Sequence, residues 1–176
     1  YSVRQQANPH MAYMFEIYAD DAAYQVHIQS PQYKEFLRRS PDILTEHKRK
    51  IDVMPQFLAD RKITPTESIR TNFVSVDVKP AHAAAFRRIV VDEMAQSIKL
   101  EPGVLAMYAA TETTQPNRWH FFEVYADEAA YQLHRQTPHF QDYLKQTADM
   151  LQDKHFTDIA PARLMNKGGL RFMAEP

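Results

Sequence analysis

The spacing of apolar residues predicts a strand followed by a helix in the middle of the chain. Residues 72–78 alternate between apolar and polar side chains, as half-buried strands do. Pro80 then opens a stretch in which apolar residues recur about every four positions, the spacing of one helix face. That stripe consists of Phe86, Ile89, Val90, Met94 and Ile98. Residues 101–103, Glu-Pro-Gly, predict a turn at the end of the helix.

The same reading predicts two strands, two helices and a final strand after this turn. Residues 104–111 and 119–125 read as strands joined by a turn-rich hairpin. Asp127 is placed to cap the next helix, and Thr137-Pro138 is a typical start for the one after it. The second helix has an apolar stripe of Phe140, Tyr143, Leu144, Thr147 and Leu151. Residues 156–164 predict a single closing strand.

Most of this pattern occurs twice in the chain. Residues 1–44 align without a gap on residues 108–151, with 17 identities, and 12 of them fall within residues 15–31. Residues 52–58 then match residues 158–164. The first copy has no counterpart of the strand at 72–78 or of the helix after it. We therefore expect the natural chain to extend roughly 40 residues further at its N-terminus.

These observations predict an α+β fold built from two ferredoxin-like sandwiches in tandem, with the first copy truncated at its N-terminus. We expect the C-terminal part of a first domain at residues 1–61 and a linker at 62–69. A complete second domain follows at 70–168, and a tail at 169–176.

Composition narrows the functional classes. A net charge of −1 gives no indication of a nucleic-acid-binding domain, and no apolar run is long enough to span a membrane. Cysteine is absent, which excludes disulfides and thiolate chemistry and suits a cytoplasmic location. Glycine-rich phosphate loops are also absent, so a dinucleotide cofactor is not expected.

The second copy resembles the antibiotic biosynthesis monooxygenase family. The resemblance rests on the stretch RWHFFEVYADEAAYQLHRQTPHFQDYL at residues 118–144, together with VKP before the first helix and EPGVL after it. It implies a ferredoxin-like sandwich in which two sheets meet face to face. It also implies that the tandem copies form an intramolecular pseudo-dimer, which could assemble further into a homo-oligomer. We expect a small-molecule substrate as the partner and no binding to nucleic acid or to a membrane.

Alternation along residues 119–125 places one candidate site on a single strand face. Trp119, Phe121, Glu123 and Tyr125 share that face. We interpret Tyr125, Trp119 and Phe121 as the wall of a substrate pocket, and Glu123 as an orienting or proton-accepting group. The alternative is that Glu123 lies at the sheet–sheet contact and pairs with arginine or a backbone amide. Asn72, at the start of the first strand, is a weaker candidate for a polar contact.

Histidines supply the other candidates. His134, one turn after Ala130, is the predicted base, and the alternative is a histidine that holds helix to sheet. His139 follows Pro138 at a helix start, where an exposed residue is the alternative. The first copy repeats three candidates as Glu16, Tyr18 and His27 but has Ala12 and Gln32 opposite Trp119 and His139.

The sequence gives no indication of a metal or a haem group. The eight histidines form no HxH or HExxH pattern, and His134 and His139 are five apart across a proline. One branch of the family binds haem through a histidine four residues after the phenylalanine of the Pro-x-Phe helix start. That position is Leu144 here and Leu37 in the first copy, and the strand-end tryptophan of that branch is Tyr125. We expect no cofactor.

The resulting hypothesis is a cofactor-independent monooxygenase that acts on a small aromatic or quinol-type substrate. Removal of a phenolic proton would give an anion able to reduce oxygen directly in a largely dry pocket. Two alternatives remain open. One is a non-catalytic ligand-binding or stress-associated protein. The other is an isomerase of a small signalling metabolite, because the branch of the family that processes such metabolites has a similar Thr-Pro-His helix start.

Overall fold

A computed structural model describes residues 1–175 of the chain as an α+β protein with nine strands and five α-helices among those residues. The strands are β1 (Ser2–Gln5), β2 (Ala12–Met14), β3 (Val53–Asp60), β4 (Arg70–Val78), β5 (Val104–Glu112), β6 (Arg118–Tyr125), β7 (Leu151–Thr157), β8 (Ile159–Arg163) and β9 (Arg171–Met173). The helices are α1 (Asp21–Gln29), α2 (Pro31–Ile43), α3 (Ala83–Leu100), α4 (Glu128–Gln136) and α5 (Pro138–Thr147). Within this range no helix is long and apolar enough to cross a membrane.

The two copies exchange their closing strands. A six-stranded sheet has the order β7-β4-β6-β5-β3-β9, and a three-stranded sheet has the order β2-β1-β8, with antiparallel neighbours throughout. The second copy forms most of the large sheet, but β3 of the first copy pairs with β5. In return, β8 of the second copy pairs with β1 of the first.

Aromatic side chains connect the strands of the two copies across the face of the large sheet that α3 leaves uncovered. The ring of Tyr1 lies 5.2 Å from that of Phe122, and Tyr13 lies 5.4 Å from Phe73, measured between centroids. The Tyr1 and Tyr108 hydroxyls are 2.7 Å apart. Because the large sheet carries aromatic side chains on the face that α3 leaves uncovered, their contact with the first copy's strands removes apolar surface from water and favours the intramolecular pseudo-dimer.

The hydrophobic core lies between the large sheet and α3. The predicted stripe residues Phe86, Val90, Met94 and Ile98 are all buried there. Trp119 and Phe121 of β6 stack with centroids 5.8 Å apart, and Phe86 packs edge-on against both. Burial of these large apolar surfaces is the main source of stability for this part of the chain.

The structure corrects three details of the predicted elements. Residues 156–164 do not form one strand, because β7 ends at Thr157 and β8 begins at Ile159 on the other sheet. Leu151 belongs to β7 rather than to the stripe of α5, which ends at Thr147. The predicted tail contains β9, which pairs with the edge of β3. None of these follows from spacing, since each depends on which partner strand is available.

The chain divides into two compact units. One consists of Tyr1–Met14 together with the chain from Asp52 onward, and the other of Phe15–Ile51. The second unit contains α1, which buries no residue, and α2, which buries only Ser40. Strand β2 ends at Met14 and pairs only with β1, so Glu16 and Tyr18 lie beyond its end. Their equivalents in β6 are held by strands on both sides.

Candidate functional site

Strand β6 presents Glu123 and Tyr125 on the face that α3 covers, not on the face that meets the first copy. Tyr125 is fully buried in the core, and its hydroxyl donates to Glu123 Oε2 at 2.8 Å. Asn72 on β4 lies directly opposite Glu123, and its Nδ2 donates to the same oxygen at 3.3 Å. The alternation along β6 is confirmed, and the alternative that placed Glu123 at the sheet–sheet contact is wrong.

Trp119 and Phe121 share this strand face but belong to the hydrophobic core. Trp119 is 3 % exposed and stacks on Phe121 under α3. They lie further along β6, towards Phe86, whereas the polar groups gather at the end of the strand around Tyr125.

Local capping and one close approach place His134 beside Tyr125. The Asp127 side chain accepts a hydrogen bond from Ala130 N at 2.7 Å, which starts α4 at Glu128. A Cβ atom on Gly103 would lie 2.5 Å from Ala130 Cβ, so only glycine allows α4 to pack so closely on the turn after α3. One helical turn after Ala130, the His134 ring lies 5.4 Å from the Tyr125 ring between centroids.

Glu101 joins the two histidines of the second copy. His134 Nδ1 lies 3.1 Å and His139 Nε2 lies 2.6 Å from Glu101 Oε1. Thr137 caps α5, which fixes His139 in the first turn of that helix. The His139 side chain is 8 % exposed, so the alternative of an exposed first-turn residue is wrong. His134 is 1 % exposed and also holds α4 against the end of α3.

A second carboxylate, Glu93, lies on the other side of His134. Its Oε1 is 3.9 Å from His134 Nε2 and accepts a hydrogen bond from Ser97 Oγ at 2.7 Å. Sequence reasoning identified neither Glu93 nor Glu101. One signal was available, because Glu93 and Ser97 interrupt the apolar stripe of α3 at positions that face the core. No comparable signal marked Glu101.

Burial and mutual contacts set the charges of this cluster. Burial raises the pKa of Glu93 to about 7. Burial also raises the pKa of Glu101, but the hydrogen bonds from His134 and His139 outweigh it, so that pKa falls below its ordinary value. Burial lowers the pKa of His134, yet the bond to Glu101 and the charges of Glu123 and Glu93 outweigh it and raise that pKa. The cluster therefore favours an imidazolium at His134 and a carboxylate at Glu101.

Three side chains of this cluster could hold a metal ion. Glu93, His134 and His139 each offer one ligand atom, and these atoms lie within 4.8 Å of one another. Sequence spacing treated His134 and His139 as a poor ligand pair, but the turn at Thr137 brings their rings to 6.5 Å between centroids. His134 contacts Glu101 through Nδ1, which leaves Nε2 facing Glu93, so a metal at Nε2 would have to displace the proton that these carboxylates favour.

The first copy builds the same local arrangement within Phe15–Ile51. The Tyr18 hydroxyl donates to Glu16 Oε2 at 2.7 Å, and the Tyr18 and His27 rings are 5.3 Å apart between centroids. The Asp20 side chain caps α1 by accepting from Ala23 N at 2.7 Å. Glu16 is exposed, and Tyr18 and His27 are half-buried. Burial, followed by the contact with Glu16, raises the pKa of Tyr18.

A surface groove of about 400 Å³ lies one side-chain layer outside the buried cluster. Tyr131 and Phe140 line it on one side and contact Tyr125 and His134 on the other, with centroid distances of 5.2 Å and 4.5 Å. Arg70 lines the groove as well and donates through Nε to Asn72 Oδ1 at 3.2 Å. These three side chains separate the predicted site residues from the groove.

Solved structures resemble the chain over nearly its whole length. A proposed monooxygenase from Lactobacillus acidophilus has 28 % sequence identity and a TM-score of 0.90, covering 97 % of this chain and 80 % of its own. A proposed monooxygenase from Fusobacterium nucleatum has 28 % identity and a TM-score of 0.93, covering 99 % and 80 %. No curated protein matches the chain.

The second copy also matches the family that its sequence motifs resemble. The antibiotic biosynthesis monooxygenase family matches residues 70–146. A proposed antibiotic biosynthesis monooxygenase from Bacteroides thetaiotaomicron is 35 % identical with a TM-score of 0.54, and the match covers 60 % of this chain and 97 % of that protein. The chain therefore belongs to the antibiotic biosynthesis monooxygenase family.

Proposed function

We propose that the second copy is a cofactor-independent monooxygenase that acts on a small phenol or quinol. One observation carries the proposal: a contiguous set of polar and titratable groups is buried or half-buried against aromatic side chains at the end of β6, and the Tyr125 and His134 rings join its two parts. The set contains Asn72, Glu93, Glu101, Glu123, Tyr125, His134 and His139. Structurally similar family members that are proposed monooxygenases support the same reaction class.

The proposed reaction needs no external reductant. A base removes the hydroxyl proton of a quinol, and the electron-rich ring then passes electrons to dioxygen. A carbon–oxygen bond forms, the oxygen–oxygen bond breaks, and the second oxygen atom leaves as water. The products are one hydroxyquinone and one water for each quinol and dioxygen consumed. An apolar enclosure favours this sequence because it excludes competing proton donors.

We assign proton acceptance to Glu123 and stabilisation of the anion to His134. The sequence-based hypothesis named His134 as the base, but its hydrogen bond to Glu101 favours the protonated ring. An imidazolium is a poor base and a good partner for a phenolate. Glu123 lies beside the Tyr125 hydroxyl at the end of β6, so its carboxylate oxygens are placed to accept a proton from a substrate hydroxyl that enters there. Trp119 and Phe121 extend the apolar wall, and His139 supports Glu101.

The proposal requires a movement that admits the substrate. Tyr125 and His134 are at most 1 % exposed, and Tyr131 and Phe140 lie between them and the groove. We propose that these two rings swing outward when the substrate binds, as small lids do in other enzymes.

The test measures oxygen uptake by the full chain with a panel of quinols, while the quinone product is followed by absorbance. Glu123→Gln and His134→Gln are the site variants, and Glu16→Gln and His27→Gln are matched controls in the first copy. We expect a loss of rate of at least about 100-fold at the second copy and little change at the first. Failure of every quinol to consume oxygen with the intact protein would overturn the oxygenase proposal.

A second candidate function is non-catalytic binding of a small ligand. The burial of the cluster away from the groove favours this function. His134 is satisfied by Glu101 and enclosed by Phe140, as a structural histidine would be. In that case quinols would bind without oxygen uptake. Binding measured by calorimetry in the absence of turnover would select this function.

A further inference from the structure

The surface groove outside the buried cluster combines excess positive charge with an apolar wall. It lies between the start of β4, the exposed faces of α4 and α5, and the middle of β7. Its volume of about 400 Å³ falls in the range of small-ligand sites, roughly 300–1,000 Å³.

Three cations face a single carboxylate in this groove. Arg70 pairs with Glu128, while Arg135 and Lys154 add two further positive charges. The guanidinium groups of Arg70 and Arg135 both lie over the Tyr131 ring, at 4.2 Å and 5.8 Å from its centroid. Like charges held this close repel each other, and the single carboxylate of Glu128, which attracts both guanidinium groups, cannot balance all three cations.

The apolar part of the groove's lining suits a planar ring. Phe140, Leu144 and Phe156 form this part. Phe156 is 43 % exposed, so it offers a large apolar surface to whatever enters the groove. Arginine and an aromatic face in one site bind a carboxylate and the ring that carries it.

We propose that this groove binds small aromatic anions of one or two rings whose carboxylate contacts Arg135 and Lys154. The ring then lies against Phe140 and Phe156, next to the layer that covers His134. If the bound anion is also the substrate, the inference rests on the proposed function and adds that the quinol carries a carboxylate. Binding itself does not depend on turnover.

The test compares two ligands that differ in charge and by one methyl group. The full chain is titrated calorimetrically with 2,5-dihydroxybenzoate and, separately, with its uncharged methyl ester. We expect the acid to bind at least about tenfold more tightly than the ester at low salt, and the difference to shrink as salt is raised. Equal affinities, or no measurable binding of the acid at millimolar concentration, would overturn the inference.

Variants place the binding at the groove. Arg135→Gln combined with Lys154→Gln should abolish the preference for the acid, while Lys145→Gln on α5, outside the groove, should keep it. A preference that survives the double substitution places the anion elsewhere and overturns the inference.

Oxygen uptake with the same two ligands separates this inference from the proposed function. Binding of the acid without oxygen uptake supports the groove and contradicts the oxygenase proposal. Uptake at equal efficiency with acid and ester supports the oxygenase and contradicts the anion site.

Discussion

The two copies contain the same trio of glutamate, tyrosine and histidine in nearly the same local geometry but in different surroundings. The tyrosine–glutamate hydrogen bond is 2.7 Å in the first copy and 2.8 Å in the second. The tyrosine and histidine rings are 5.3 Å and 5.4 Å apart. Yet Tyr125 and His134 are buried, whereas Tyr18 and His27 are half-buried.

The difference comes from α3 and the turn after it. In the second copy this segment supplies the apolar side chains that cover the trio. It also supplies the two carboxylates, Glu93 and Glu101, on either side of His134. Within Phe15–Ile51, α1 buries none of its residues. The repeated motif therefore determines the local shape, and a distant segment determines burial and charge.

The largest expected difference between the copies is in stability. Tyr125→Ala should lower the free energy of unfolding by about 3–5 kcal/mol, because it removes a fully buried ring. Tyr18→Ala should cost about 1 kcal/mol or less, because that ring is only half-buried. Urea unfolding followed by the fluorescence of Trp119, which lies in the core of the second copy, measures the first effect directly. Similar losses for both would contradict the contrast in burial.

The close approach of α4 to the turn should be the next most sensitive feature. Gly103→Ala places a methyl group 2.5 Å from Ala130 Cβ, and we expect it to cost about 1–3 kcal/mol by pushing α4 outward. Adding Ala130→Gly should restore part of that loss, although glycine within the helix costs about 1 kcal/mol itself. Ala23→Gly in α1 measures that helix cost alone. If the double variant recovers nothing, steric contact is not the cause.

Glu93 should make the second copy less stable as the pH rises. Its pKa is about 7 in the folded protein against an ordinary 4.5, so the unfolded chain loses this proton first between those values. Stability due to this group is therefore complete below pH 4.5 and is lost as the pH rises towards and through 7. Glu93→Gln should remove this dependence and stabilise the protein by about 1–3 kcal/mol at pH 8.

Denaturation midpoints at pH 5, 6.5 and 8 would check the prediction for Glu93. Asp92→Asn on the exposed side of α3 is the matched control and should leave the pH dependence intact. A constant offset between Glu93→Gln and the unmodified protein would show that Glu93 is not held neutral by burial.

The smallest expected effect is that of added zinc. We predict no metal-dependent change, because the carboxylates around His134 favour its protonated ring and a cation would have to displace that proton. Thermal unfolding with and without zinc sulfate, in the unmodified chain and in His139→Gln, tests this prediction. A zinc-dependent rise in the midpoint that His139→Gln abolishes would establish a metal site in the second copy, where the first has Gln32.

The sequence predicted the local features of the site well because short-range spacing controls them. The caps at Asp127 and Thr137 and the shared face of Glu123 and Tyr125 follow from helix and strand periodicity. Glu101 could not be predicted as a partner of His134, since the two are 33 residues apart and Gly103 decides how closely they approach. The exchange of β3 and β8 could not be predicted either, because the sequence pattern of each strand is the same whichever sheet it joins.

Titration of His134 by NMR tests most directly whether the distant segment gives the repeated trio its chemistry. The account predicts that His134 loses its proton above the ordinary value of 6.5 in the unmodified protein. Glu101→Gln removes the hydrogen-bonded carboxylate that raises this pKa, so the midpoint should fall. Asp92→Asn should leave the midpoint where it is. A His134 midpoint at or below 6.5 in the unmodified protein, or one that Glu101→Gln does not move, would contradict the account.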